Sequence, residues 1–216
     1  MSYLNTRMPT GDDVTQRSDL KPAFSNDLFE QVLQRDNLHA AWKRVRANKG
    51  AAGIDGMTLD EFPAWAKSGH WKTVISELET GSYTPSPVRR VEINKPDGGT
   101  RQLGIPTVTD RVIQQAIAQV LTPIFDPGFS NNSFGFRPNR NGQQAVKQVH
   151  GIIKQGRRIA VDVDLSKFFD RVNHDLLMTY LGRKVKDKRL LKLINRYLRA
   201  GVIDNQFYSE SREGVP

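Results

Sequence analysis

No cysteine occurs anywhere in the chain, so disulfides and thiolate metal sites are excluded. No stretch of about 18 apolar residues occurs either, which removes a hydrophobic membrane-spanning helix. The opening run MSYLNTRMPTGDDVTQRSDLKP lacks an apolar signal-peptide core. A cytoplasmic protein without a membrane partner is therefore expected. Histidine is scarce, and His39, His70, His150 and His174 have no metal-ligand spacing. No serine or cysteine sits in a nucleophile motif, and there is no P-loop; zinc chemistry, acyl transfer and P-loop hydrolysis drop out. Internal repeats and low-complexity runs are missing too.

Positive charge is what the chain has in excess. Lysine and arginine number 32 against 23 acidic residues, a formal net charge of +9. Such an excess on a folded domain favours phosphate-bearing partners, because basic side chains displace counterions from a nucleic-acid backbone. A basic protein with nothing to bind is the plain alternative. The length of 216 residues suits one domain with a core, or two small lobes.

Residues 1–24 read as a loose polar tail, with Ser25 or Asn26 as the first helix cap. Leu28, Phe29, Val32 and Leu33 then recur at helical spacing, as do Leu38, Ala41, Trp42 and Val45. The glycine-rich stretch Asn48 to Gly56 is a loop, and Thr58 and His70 open two further helices ending at Gly81. Val88 to Asn94 and Arg101 to Ile105 form a β-hairpin around the turn Lys95 to Thr100. A long helix follows from about Thr109, with Ile113, Ile117 and Ile124 inward and Pro123 distorting its last turn. Ser133 to Asn141 is a loop before a helix to about Gln155. Ile159 to Leu165 reads as a buried strand, and helices start near Asp175 and Lys188.

That strand, Ile159-Ala-Val-Asp-Val-Asp-Leu165, carries chemistry in an apolar setting. Residues two apart project to the same face, so Asp162 and Asp164 point together. Buried carboxylates are paired, hydrogen-bonded or metal-bound, and magnesium accepts one or two of them alongside substrate phosphates. The alternative is that both sit at the strand end and cap the next turn. Phe134, Phe136 and Arg137 put cation and aromatic together in a loop. Such a composition suits a nucleic-acid strand or local packing equally. Glycines in Asn48 to Gly56 permit either close backbone approach to RNA or a tight turn. Arg183 to Arg199 holds eight basic residues and one acidic, with Leu190, Leu191, Ile194 and Leu198 as an apolar stripe.

The run VDVDLSKFFDRVNH resembles the first catalytic-aspartate motif of group II intron reverse transcriptases. Three further blocks resemble that family in its order: NKGAAGIDGMTLDEF, PVRRVEINKPDGGTRQLGIPTVTDRVIQQAI and SFGFRPNRNGQQAV. Together they cover about residues 35–216, with Asn94 standing where proline is expected. The resemblance implies an α/β fold, helix-rich, with right-hand polymerase fingers bearing a β-hairpin and an incomplete palm sheet. Residues 25–158 would be N-terminal extension and fingers, and 159–216 a partial palm.

The same resemblance implies template-directed nucleotidyl transfer with two magnesium ions (Mg2+), and Asp164 as catalytic and metal-binding carboxylate. Lys95 and Arg101 would contact the nucleotide triphosphate, with Arg111 as a further basic contact. Phe169 would screen the sugar 2′ position. Arg137, Phe136, Asn48, Lys49 and Gly53 are the expected RNA or template contacts. Implied partners are intron RNA, an RNA template with DNA primer, and deoxynucleotide triphosphates. The later aspartate hairpin and thumb of the family do not occur here. No DNA synthesis by this chain alone is therefore expected, and a complementing C-terminal palm and thumb chain, or a homodimer, is anticipated. A stand-alone RNA-binding module or degenerate remnant is the alternative reading.

Overall fold

A computed structural model describes residues 27–96, 98–205 and 207–215. The expected tail and the caps Ser25 and Asn26 lie outside them. Two N-terminal helices, α1 (Leu28–Leu33) and α2 (Arg35–Ala47), are separated by extended Gln34 (ψ 134°). The apolar faces read from the sequence are the ones buried, with Val32 and Ala41 completely enclosed.

Thr58 does not start a helix. Its hydroxyl and backbone N–H both donate to Glu61, and the helical stretch begins as α3 (Phe62–Trp65). A π-helical turn, Ala66–His70, joins it to α4 (Trp71–Thr80), and Gly69 at φ 103° lets the chain kink there. Trp42, Trp65 and Trp71 surround Phe62 at ring distances of 4.6 to 5.6 Å, filling the gap the kink opens.

The hairpin forms as read: β1 (Val88–Asn94) pairs antiparallel with β2 (Thr100–Ile105), from Arg89 opposite Ile105 to Asn94 opposite Thr100. Helix α5 (Val108–Phe125) is the spine of the core and starts earlier than the sequence suggested. Thr107 caps it by accepting from the Asp110 N–H (3.1 Å) while donating to the Asp110 carboxylate (2.6 Å). The helix runs through Pro123 to Phe125 before a short 3-10 turn.

Helix α6 (Gly142–Lys154) opens with a full capping box between Asn141 and Gln144. Helices α7 (His174–Lys184) and α8 (Lys188–Leu198) follow, and Leu190 and Leu193 of α8 enter the core beside α1 and α5. Two strands the sequence reading lacked complete the sheet: β3 (Val202–Asp204) and β4 (Phe207–Ser209). The order is β2-β1-β3-β4, with β3 parallel to β1 through Val88 opposite Val202. Three-residue strands give no alternation to read, and the partner of β3, β1, lies more than a hundred positions away.

A further expectation fails in this fold. Ile159 to Leu165 is neither a strand nor buried. Ile159, Val161 and Val163 are 90, 84 and 79% exposed. Among the described residues, Arg157 to Lys167 make no hydrogen bond. Strand pattern alone cannot make a strand; a ladder needs a neighbouring strand, and β1 already has one on each edge.

Candidate nucleic-acid interface

The hairpin tip presents the first pair of predicted residues. Lys95 closes the turn, its N–H donating to Gly99 O (2.7 Å) and its carbonyl accepting from Gly98 N–H (3.1 Å). Arg101 sits opposite Ile93 on the returning strand. Both side chains are exposed, and neither has a side-chain partner among the described residues. The tip therefore offers two cations without a side-chain partner among the described residues, on a two-stranded arm.

Arg111 is placed differently. Its guanidinium donates to Ala51 O (2.8 Å), and its Nε is buried without a partner. Burial pushes its pKa below the usual value, with Asp55 opposing the shift. Arg89, which sequence reasoning passed over, donates twice to the neighbouring carbonyl, Ala52 O, at 3.2 and 2.7 Å. Two arginines thus grip consecutive carbonyls of the glycine-rich loop and fix it on the hairpin base and α5.

Gly53 is buried in that grip. A Cβ there would lie 2.6 Å from both Thr107 Cα and Thr107 N, and 2.8 Å from Pro106 C. Gly53 is needed by the packing, whereas Asn48 and Lys49 are exposed on the same loop. Gly53→Ala should destabilise the chain by about 2 kcal/mol, because backbone must shift to admit the methyl group. Thermal melting checks this, and Asn48→Ala should leave the midpoint unchanged.

Arg137 is equally committed. It donates to Asp126 Oδ1 (2.7 Å), Asp126 O (3.0 Å), Ser130 O (2.6 Å) and Ser133 O (3.2 Å), and lies over the Phe129 ring. The side chain is 8% exposed, so it organises its loop and does not project from it. Beside it, Phe136 stands fully exposed on left-handed backbone (φ 54°). Such a conformation costs a non-glycine residue on the order of 1 kcal/mol, and is held here because Arg137 fixes the loop around it.

Arg137's hydrogen bond also holds the Asp126 carboxyl below its ordinary 3.8. A depressed carboxylate pKa contributes stability above the unfolded value, and that contribution is lost as pH falls through the folded one. Loop 129–137 should thus keep its native chemical shifts down to about pH 3.8 and lose them below it. Asp126→Asn should abolish that acid transition.

Asp162 and Asp164 lie exposed on the irregular segment, without an ion pair among the described residues. Phe168 and Phe169 follow, edge to face at 5.3 Å, with Phe169 66% exposed at the start of a 3-10 turn, Phe169–Arg171. That turn is tied to a late segment of the chain. Gly214 N–H donates to Val172 O (2.9 Å), and Val215 N–H to Phe169 O (2.9 Å). Buried His174 bonds Gly214 O through Nε2 at 2.7 Å; since a carbonyl only accepts, Nε2 carries the proton. His174 gave no sequence signal, because a histidine at a helix start looks like any surface polar residue.

The basic stretch of α7 and α8 is partly turned to the protein. Arg189 pairs with Glu30 and covers the Phe29 ring, and Lys184 lies over Phe125. Arg196 donates to Gly81 O and Tyr83 O at 2.7 Å each. Burial of α8's apolar stripe brings these cations close to carbonyls and rings, which composition alone does not show.

This assembly of hairpin, gripped loop and aspartate turn has known counterparts. The reverse transcriptase (RNA-dependent DNA polymerase) family matches residues 93–216. Group II intron-encoded protein LtrA of Lactococcus lactis subsp. cremoris is 35% identical over 88% of this chain and 31% of its own length. Protein YkfC of Escherichia coli is 34% identical, over 88% of this chain and 51% of YkfC. A putative COX1/OXI3 intron 1 protein of Saccharomyces cerevisiae is 33% identical, over 89% and 23%. The chain thus spans about half or less of these relatives' lengths. A solved partial Cas6-RT-Cas1–Cas2 complex shares the fold, with a TM-score of 0.57 at 22% identity over 88% of this chain and 31% of that one. With its fingers-type hairpin and its kinship to group II intron-encoded proteins, the chain belongs to the reverse transcriptase family.

Proposed function

We propose that this chain provides the fingers and first palm segment of an RNA-directed DNA polymerase that acts on intron RNA. The observation that carries the reading is that the family match takes in Lys95, Arg101, Asp164 and Phe169, all four exposed; among the described residues Lys95, Arg101 and Asp164 have no side-chain partner, and Phe169 meets the Phe168 ring edge to face. Lys95 and Arg101 neutralise the triphosphate as charge builds on its leaving oxygens. Phe169 stands against the sugar edge of the incoming deoxynucleotide. Phe136 offers a ring for a template base, and Arg137 holds that ring in place. Arg111 and Gly53 build the scaffold below, and Asn48 and Lys49 are the loop's accessible contacts to RNA.

The family generally uses divalent metal, and Asp164 is the residue proposed to ligate magnesium. Bound magnesium would neutralise phosphate charge. Among the described residues, however, no group of three or more ligating side chains gathers. The described residues do not by themselves make a complete metal site, and the proposal is that the chain alone synthesises no DNA.

The test mixes this chain with a separately made palm and thumb fragment and assays templated primer extension. Extension only in the mixture, reduced at least about a thousandfold by Asp164→Ala, is the expected outcome. Extension that survives Asp164→Ala would overturn the assignment. No extension, together with salt-steep RNA binding by the chain alone, would identify a non-catalytic RNA-binding module.

A further inference from the structure

The turn Phe169–Arg171 has no anchor on its upstream side: among the described residues, Arg157 to Lys167 make no hydrogen bond. What holds it comes from far along the chain. Val215 N–H donates to Phe169 O and Gly214 N–H to Val172 O, both at 2.9 Å, so two consecutive amides bracket the turn. Gly214 is buried flush against it. Its φ is +82°, and a Cβ there would lie 2.7 Å from Asp170 O and 3.0 Å from Asp170 C. Glycine permits that backbone and that approach together.

The same peptide group is held from its other side. His174, the first residue of α7, donates from Nε2 to Gly214 O at 2.7 Å. Gly214 O and Val215 N–H belong to one peptide, so a single rigid unit runs from the imidazole to the carbonyl of Phe169. Hydrogen bonds in series through one amide polarise it and strengthen each other. The His174 ring is 3% exposed, and its Nδ1 is buried without a partner among the described residues. An unsatisfied buried acceptor is destabilising, so apolar packing alone would favour leucine or phenylalanine there. What the histidine adds is the one donor aimed at Gly214.

We infer that His174 is a positioning residue for Phe169: through the Gly214–Val215 peptide it fixes the backbone from which that ring projects, and thereby sets discrimination against ribose in the incoming nucleotide. The effect on the sugar rests on the polymerase reading; the link itself does not. Phe169 is 66% exposed and meets the Phe168 ring edge to face at 5.3 Å, so its place follows its backbone. A steric screen works by placement, and misplacement by about 1 Å can change rates on the order of a hundredfold.

Two measurements test this. Hydrogen–deuterium exchange on the 216-residue chain reads the link. The Gly214 and Val215 amides should be protected, and exchange at least about tenfold faster in His174→Phe, or in His174→Leu should the larger ring prevent folding. Protection should return in His174→Gln, whose side-chain amide can place an N–H near Nε2. Primer extension by the chain mixed with the palm and thumb fragment reads the consequence, as the ratio of kcat/KM for a deoxynucleotide over its ribonucleotide. His174→Phe should lower that ratio at least about tenfold, and His174→Gln should restore most of it. Asn173→Ala removes the α7 cap, whose Oδ1 accepts from Leu176 N–H at 2.9 Å; it should lower the melting temperature and leave the ratio as it is. In a Phe169→Val background, His174→Phe should change the ratio no further, since the residue it acts through is gone. Unchanged exchange at Val215, an unchanged ratio, an equal fall in Asn173→Ala, or a full further fall in the Phe169→Val background would each overturn the proposal. No extension from the wild-type mixture would sink the polymerase reading and the sugar effect with it, whereas an unchanged ratio with working extension sinks the role of His174 alone.

Discussion

Asp110→Ala is expected to cost the chain at least about 3 kcal/mol, enough to leave a marginal domain largely unfolded at 37 °C. Asp110 is completely buried at the start of α5. Its carboxylate accepts from Thr107 Oγ1 (2.6 Å), Tyr83 Oη (2.7 Å), Tyr197 Oη (3.1 Å) and the Ser86 N–H (3.2 Å). Those donors come from the segment before the hairpin, the α5 cap and α8, so one side chain joins three parts of the fold. Alanine would orphan four donors, and each buried unsatisfied group costs about 1–3 kcal/mol. Asparagine keeps one acceptor oxygen and should cost about half as much. Urea titration of both variants checks the ranking.

The sign of Asp110's pH dependence is a separate check. Burial raises its pKa above the ordinary 3.8, against the pull of its hydrogen-bond donors. The folded chain then binds a proton at a pH where the unfolded chain does not. This group's contribution therefore falls as pH rises through the window from 3.8 to the folded value, and acidification across that window favours folding. Asp110→Asn should remove that slope.

Asp187→Ala is the second large loss, expected at about 2–4 kcal/mol. Asp187 is 3% exposed and caps α8, accepting from Arg189 N–H (3.0 Å) and Leu190 N–H (3.2 Å). Its other oxygen accepts from the N–H of Phe29, at the start of α1 (2.8 Å). An ordinary cap would cost about 1 kcal/mol; here a buried donor far away in sequence is stranded as well. Asp187→Asn, which keeps an oxygen for the cap, should lose less. Limited proteolysis should then show α1 released first in the alanine variant.

Much of this architecture was legible from residue pattern. Leu28, Phe29 and Val32 repeat at helical spacing, as do Ile113, Ile117 and Ile124, and NKPDGGT between two alternating runs is a hairpin on its face. Local cues could not reveal what depends on distant partners. The pairing of Val88 with Val202 joins a strand to one too short to announce itself. The aliphatics of Ile159 to Leu165 predicted a buried strand, and they are exposed, because nothing among the described residues covers them. Among the expected site residues, Lys95, Arg101 and Phe169 are exposed, with Phe169 edge to face on Phe168. Arg111 and Arg137 were read as ligand contacts because charge type is visible in a sequence while the carbonyls that occupy it are not. His174, Arg89 and Asp110 were missed for the same reason.

The commitment of so many arginines to carbonyls and rings separates how the chain would find RNA from how it would keep it. Approach from a distance responds to the summed field, in which every charge of the +9 excess counts wherever its side chain is bonded. Residence depends on cations able to touch a phosphate, and Arg89, Arg111, Arg137 and Arg196 already donate to groups of the chain. Encounter should be fast and indifferent to sequence, while dissociation is governed by a few exposed groups such as Lys95, Arg101 and Lys49. A protein arranged in this way samples many RNAs and dwells only where those few contacts are all made at once.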